Sequence, residues 1–236
     1  MLLCGQLIAE TQVPLPMGDC ALPKPQQDYR HCDFNGRDLT AVDLQGSDLS
    51  GAKLQNAKLT DCKLQAARLA GADLKWAVLT GCDASAADFS DADLFHTNFD
   101  EARLTGANFE KAYLFGASLN GVSADGAQFS HANLKDISME ESVLTHCRFD
   151  QAFMMRAVLI GSKLMDSSIR QVVLTGAALE NSDFSRADLS GSLLNGATLT
   201  QTLFRGATLT GARFVNARLE ETDFSGAVDI PRDLPQ

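Results

Sequence analysis

The sequence predicts an all-β solenoid whose chain turns a corner every five residues, and three regularities predict it. First, every position from Phe34 to Phe224 whose number ends in 4 or 9 is Leu, Phe, Met or Ile, with Ala84 and Ala124 the exceptions. That makes 39 consecutive pentapeptides, one for each fifth residue from 34 to 224. A helix would space its apolar residues by 3 and 4, and a strand by 2, so neither accounts for the pattern. Second, the position two residues earlier is small almost throughout, as at Cys32, Ala52, Ala57, Cys62, Ala67, Ala72 and Cys82, with Arg37 the main departure. Third, of 18 glycines, 16 fall two residues after the large apolar position, where a tight turn demands positive φ. One large and one small inward side chain per five residues describe a square coil that closes after about twenty residues, each coil covering the apolar core of the next.

The repeated unit is Ala, then Asp or Asn, then a large apolar residue, as in Ala72-Asp73-Leu74, Ala107-Asn108-Phe109, Ala132-Asn133-Leu134 and Ala187-Asp188-Leu189. These residues strongly resemble the pentapeptide-repeat family, and the resemblance covers residues 32 to 226. It implies a right-handed quadrilateral β-helix with four faces per coil, just under ten coils in a single domain. At a spacing of about 4.8 Å per coil the rod would be on the order of 45 Å long.

Two segments flank the repeats. Residues 1–31 carry Leu2, Leu3, Leu7, Ile8, Val13 and Leu15, together with Pro14, Pro16, Pro23 and Pro25. A solenoid exposes its core at each end, so this segment is expected to cap the first coil, with docking on a partner as the alternative. Residues 227–236 are too short and proline-rich for a helix and are expected to cover the last coil. The opening Met1-Leu2-Leu3-Cys4-Gly5 lacks a basic region and a full apolar core, so it reads as mature protein and not as a leader. No run of 18 apolar residues is present to suggest a membrane span. A cytoplasmic location is expected, with secretion as an effector the alternative.

In twenty-residue rows, one inward column reads Leu49, Leu69, Phe89, Phe109, Phe129, Phe149, Ile169, Leu189, Leu209, which predicts a stacked aromatic ladder. Before the large apolar site, Asp33, Asp38, Asp43 and Asp48 are followed one coil later by Lys53, Lys58, Lys63 and Arg68, so acid should face base on all four faces. Exposed cross-strand pairs of this kind contribute about 0.2 to 1 kcal/mol each.

The net charge of −10 bears on function, because the family resemblance also implies a second role. Some quinolone-resistance members act as DNA mimics on a type II topoisomerase. The alternating charges argue against that role here, since they cancel much of the long-range field a mimic needs. An unbalanced acidic stretch from Asp83 to Glu101 wraps the coil as a belt and not as a stripe. Topoisomerase inhibition or protection therefore remains the alternative partner reading.

The outward positions of three faces are mainly polar. The face whose inward column is Leu74, Leu94, Leu114, Leu134, Met154, Leu174 and Leu194 differs, because its outward residues include Trp76, Phe95, Tyr113, Phe115, Phe153 and Met155. Lys75, His96, Lys135, Asp136 and Arg156 are interspersed. Aromatic anchors in a mixed-charge surround have the composition of a protein interface, for a partner or a homodimer.

Enzyme chemistry finds no support. His31, His96, His131 and His146 are dispersed, and no nucleophile and base are expected to converge. A filled solenoid has no interior cavity for substrate, and no cofactor, nucleic-acid or membrane site is expected. Four cysteines, Cys32, Cys62, Cys82 and Cys147, occupy the small inward site that Ala and Ser also fill. They are expected to be packed free thiols, although Cys62 and Cys82 should stack in adjacent coils near the shortest spacing a disulfide spans. Without a CxxC motif or a histidine at ligand spacing, no metal site is expected.

Overall fold

The computed structural model describes residues 14–232 and Leu234. The expectations placed on Leu2, Leu3, Leu7, Ile8, Val13 and the Met1–Gly5 opening fall outside the described residues. The chain winds as a right-handed quadrilateral β-helix. From Asp28–Asp48 to Thr208–Val228, parallel bridges join each bridging residue to the one twenty positions on. Twenty residues therefore make one coil and five make one face.

The pentapeptide motif follows from hydrogen bonding at each corner. The amide of Ala52 donates to the carbonyl of Leu49 at 2.9 Å, closing a four-residue turn in which Gly51 has φ +68°. Left-handed backbone at the third residue alone is the signature of a type II turn, and glycine adopts it without steric cost. Between coils, Leu49 N–H donates to Arg68 O at 2.7 Å and Asp48 N–H to Gln27 O at 2.9 Å. The Asp or Asn before the large residue serves the corner itself. Its Oδ1 accepts the amide two residues on, as from Ser50 to Asp48, Ser90 to Asp88 and Glu110 to Asn108, each at 3.0 Å. Short side-chain acceptors compete well for nearby backbone amides, which is why this position favours Asp and Asn.

Inside, the expected ladder forms: successive rings of Phe89, Phe109, Phe129 and Phe149 stack with centroids 4.9 Å apart. The coil spacing imposes this separation. Phe99 meets Phe89 and Phe109 edge-on from across the core at 5.5 and 5.9 Å. A second ladder joins Phe184, Phe204 and Phe224. Where the small inward site is polar, its hydroxyl is satisfied: Thr97, Ser142 and Thr202 donate to the carbonyls of Leu74, Leu119 and Leu179, each at 2.8 Å. No buried hydroxyl in this set is left without a partner, as burial requires.

At the N-terminal end, Tyr29 is the plug. Its ring is buried edge-on against Phe34 at 5.9 Å, and its hydroxyl donates to Lys24 O at 2.9 Å. Gly18 passes so close to this ring that a Cβ there would overlap it. Arg37, the misfit in the small inward column, reaches out of the open first coil and donates to the carbonyls of Cys20 and Ala21. At the other end Leu219, Phe224 and Leu234 are only partly buried against the core.

Two expectations need correction. The cysteines are not all free: Cys62 is bonded to Cys82 and Cys20 to Cys32, with Cα separations of 4.6 and 5.7 Å. Both separations fall within the range a disulfide spans, so stacking in adjacent coils brings the first pair into reach. Cys147 remains a buried free thiol, and burial pushes it up to about 12. The charge ladder is also less complete than expected. Asp33–Lys53, Asp38–Lys58 and Asp48–Arg68 pair at 3.5, 3.8 and 2.9 Å. Asp43 lies opposite Lys63 in the ladder, yet no ion pair joins them among the described contacts, and Asp43 accepts the Gln45 amide at 3.2 Å.

Candidate functional site

The face that carries Trp76 is flat because its bridging residues, Asp73, Asp93, Tyr113, Asn133, Phe153 and Val173, pair in register from coil to coil. Side chains at the bridging position and at both corner positions point outward, so rings on adjacent rungs can touch. They do. Trp76 meets Phe95 edge-on at 5.3 Å, and Phe95 stacks on Phe115 at 5.7 Å and on Tyr113 at 6.2 Å. Tyr113 and Phe115 lie 6.3 Å apart on one rung. Four rings from three successive coils thus form one continuous patch.

Its rim is charged but paired. Lys75 Nζ lies 3.1 Å from Asp73 and 2.9 Å from Asp93, and these carboxylates raise the lysine above its ordinary value. Lys135 Nζ sits over the Phe115 ring at 5.5 Å from the centroid. The His96 ring packs against Phe95 at 4.3 Å, above Gly116, where an added Cβ would come within 2.5 Å of the imidazole. Arg156 and Asp136 close the far side with a two-pronged pair, both bonds 2.6 Å.

Exposure distinguishes this cluster from core. Trp76 is 49% and Tyr113 39% exposed, while Phe95 and Phe115 are half-buried by their neighbours. Trp76 and His96 hold left-handed backbone at φ 55° and 52°, a conformation that bulky residues rarely take. Phe153, 36% exposed, and Met155 lie on the same face beyond the polar rung of Asn133 and Lys135. The structure therefore brings Trp76, Phe95, Tyr113 and Phe115 together and leaves Phe153 and Met155 as a separate step along the wall.

Sequence reasoning missed two other groupings. Arg148, Asp150 and Arg170 line a polar groove on another face, together with Gln128 and His131. Asp150 binds Arg170 at 2.8 Å; burial opposes its ionisation, but bonds from Arg170 and Ser168 hold its carboxyl down at about 2. At the N-terminal end, Cys20, His31 and Cys32 converge. The adjacent His31-Cys32 pair was the available sequence signal, but only folding brings Cys20 to it. The acidic belt is largely engaged: Asp83 faces Arg103 at 3.8 Å, Asp88 accepts from Asn108 at 2.9 Å, and Asp100 accepts from Ser118 at 2.6 Å.

Comparison with known families settles the lineage. A family model described as pentapeptide repeats (8 copies) matches residues 26–56, 125–161, 162–201 and 187–226, and one described as a pentapeptide repeat region matches 53–129. The chain belongs to the pentapeptide repeat family. Among solved structures, this pentapeptide repeat protein is similar to HetL, a pentapeptide repeat protein involved in heterocyst differentiation regulation from the cyanobacterium Nostoc sp.. The TM-score is 0.83 at 29% identity, over 88% of this chain and 92% of HetL. A trypsin-treated variant of QnrB1, a plasmid-mediated fluoroquinolone resistance protein, aligns over 78% of this chain and 84% of its own at 22% identity, with a TM-score of 0.42. Rfr23 from the cyanobacterium Cyanothece aligns over 49% of this chain and 85% of its own at 23% identity, with a TM-score of 0.33. No curated protein matches in a sequence search.

Proposed function

We propose that this pentapeptide repeat protein is a non-catalytic interaction module that binds a protein partner, or a second copy of itself, through its aromatic wall. The observation that carries the reading is the continuous stack of Trp76, Phe95, Tyr113 and Phe115 on a solvent-facing sheet. Large aromatics on a flat surface bury much area on docking, and the paired charges around them supply a polar rim. Backbone that is bonded to coils above and below loses little freedom on binding, so little of the contact energy goes into ordering it. Phe153 and Met155 extend the footprint along the same face. HetL, which is involved in heterocyst differentiation regulation, offers a precedent in this fold for a regulatory role.

Topoisomerase binding by charge mimicry is the second reading, and the net charge of −10 is its one support. It ranks below the first because Asp83, Asp88 and Asp100 of the acidic belt already hold partners. The module is proposed to act in the cytoplasm, where its two cysteine pairs would spend much of their time as thiols.

Trp76 is the only tryptophan in the chain, so its fluorescence reports directly on the wall. The test is a dilution series for self-association and a titration with any captured partner, each followed by Trp76 emission. Burial of the wall shifts the emission to the blue, and Phe115→Glu abolishes the shift. The reading fails if binding survives Phe115→Glu but is lost when Asp88, Asp91 and Asp100 are changed to Asn, a pattern that selects charge mimicry.

A further inference from the structure

We propose that Cys20, His31 and Cys32 form a zinc site in the dithiol form of the chain, at the N-terminal end of the solenoid. His31 Nε2 lies 3.4 Å from Cys20 Sγ and 3.6 Å from Cys32 Sγ, and the three donor atoms lie within 4.8 Å of one another. A tetrahedral zinc with bonds of about 2.3 Å to sulfur and about 2.0 to 2.1 Å to nitrogen sets each nitrogen and sulfur about 3.5 Å apart. The imidazole already stands at that distance from both sulfurs. Only the sulfur pair must change, parting to about 3.7 Å once the bond between them is absent.

The surrounding structure holds the donors in place by means independent of that bond. Arg37 donates to the carbonyls of Cys20 and Ala21, and Asp19 Oδ1 accepts the Ala21 amide at 2.8 Å. Cys32 is fixed from the other side, its amide donating to Tyr29 O at 2.9 Å, and it is only 3% exposed. His31 is exposed, so the fourth coordination position opens to solvent and takes a water or a donor from another molecule. Two thiolates and an imidazole suit zinc over calcium or magnesium, which prefer oxygen donors. The Cys62–Cys82 pair is not an equivalent site, because it is buried and no third donor is grouped with it among the described residues.

Binding displaces one proton from each thiol to solvent and leaves the metal held by two sulfurs and one nitrogen. A disulfide oxidant competes for the same pair: it accepts two electrons and two protons, leaves as two thiols, and closes Cys20 to Cys32. The bonded form cannot hold the ion, so zinc occupancy and oxidation exclude one another.

The experiment uses the full chain carrying Cys62→Ala and Cys82→Ala, fully reduced, freed of metal, and titrated with Co²⁺ as a spectroscopic stand-in for zinc. The expected result is a thiolate-to-cobalt charge-transfer band that saturates at one equivalent and is bleached by one equivalent of Zn²⁺. Cys20→Ser loses the band, and so does His31→Ala, an exposed change that keeps both thiols and the fold. Prior oxidation of the chain also removes it. No band in the reduced chain overturns the proposal, and so does a band that persists in His31→Ala or Cys20→Ser.

Discussion

The indole of Trp76 meets the ring of Phe95 edge-on, 5.3 Å between centroids and 86° between planes, although Trp76 sits at a turn position that favours glycine. An edge-on aromatic pair contributes about 0.5 to 1.5 kcal/mol, comparable to the cost of about 1 to 2 kcal/mol for a left-handed side chain. Trp76→Gly therefore leaves folding stability within about 1 kcal/mol of the parent in urea unfolding, because relief of backbone strain offsets the lost contact. The same change weakens partner binding by about 2 kcal/mol, as expected for a central aromatic anchor, and calorimetry with the partner measures it.

The two bridged cysteine pairs predict a stability that depends on redox state. Closing a loop of about twenty residues contributes on the order of 3 kcal/mol by restricting the unfolded chain. Cys62→Ala with Cys82→Ala should lower the melting temperature under oxidising conditions and match the parent under strong reduction. Alanine is the natural replacement because it already fills the same inward column one coil on, at Ala102.

Cys147 should behave oppositely to an exposed thiol. Burial pushes it up to about 12, so almost none is thiolate at neutral pH. In a Cys4→Ser background under oxidising conditions, native protein should show no thiol reactive towards Ellman's reagent, and unfolded protein should show one.

Acid stability should be set by carboxylates such as Asp150, held at about 2 against its ordinary 3.8 by Arg170 and Ser168 despite the opposing effect of burial. A depressed folded-state value gives stability that is present above the unfolded value and lost as pH falls through the folded one. The parent should therefore lose stability between about pH 4 and pH 2. Asp150→Asn should be less stable than the parent at pH 7, and the gap should close towards pH 2 in thermal melts.

Glycine positions separate backbone strain from packing. Gly51 has φ +68° and open space where a methyl would sit, so Gly51→Ala costs only the left-handed conformation, about 1 kcal/mol or more. Gly18→Ala should cost more, because the new Cβ overlaps the Tyr29 ring that plugs the first coil. Urea midpoints of the two variants check the order.

Register carries much of this molecule. Once Leu or Phe recurs every fifth residue, residues twenty apart must stack, so the Phe89–Phe149 ladder and the aromatic face of Trp76, Phe95, Tyr113 and Phe115 are legible from numbering alone. In the sequence the Asp of the repeat reads as an ion-pair partner, yet at Asp43 and Asp88 its bond to the corner amide is the constant feature. That bond spans two residues and leaves no trace in a twenty-residue comparison.

The sequence by itself determined the solenoid, its core columns and the face that bears the aromatic residues, because each depends only on period and on which side of the backbone a position falls. Tertiary structure decided which rings touch, that Phe153 and Met155 stand apart, and that Cys62 bonds Cys82. It also decided where Arg37 reaches and that Cys20 returns to His31 and Cys32. Those outcomes turn on rotamers and on the path of a non-repeating cap, and distances of a few ångströms between side chains are not encoded in a period.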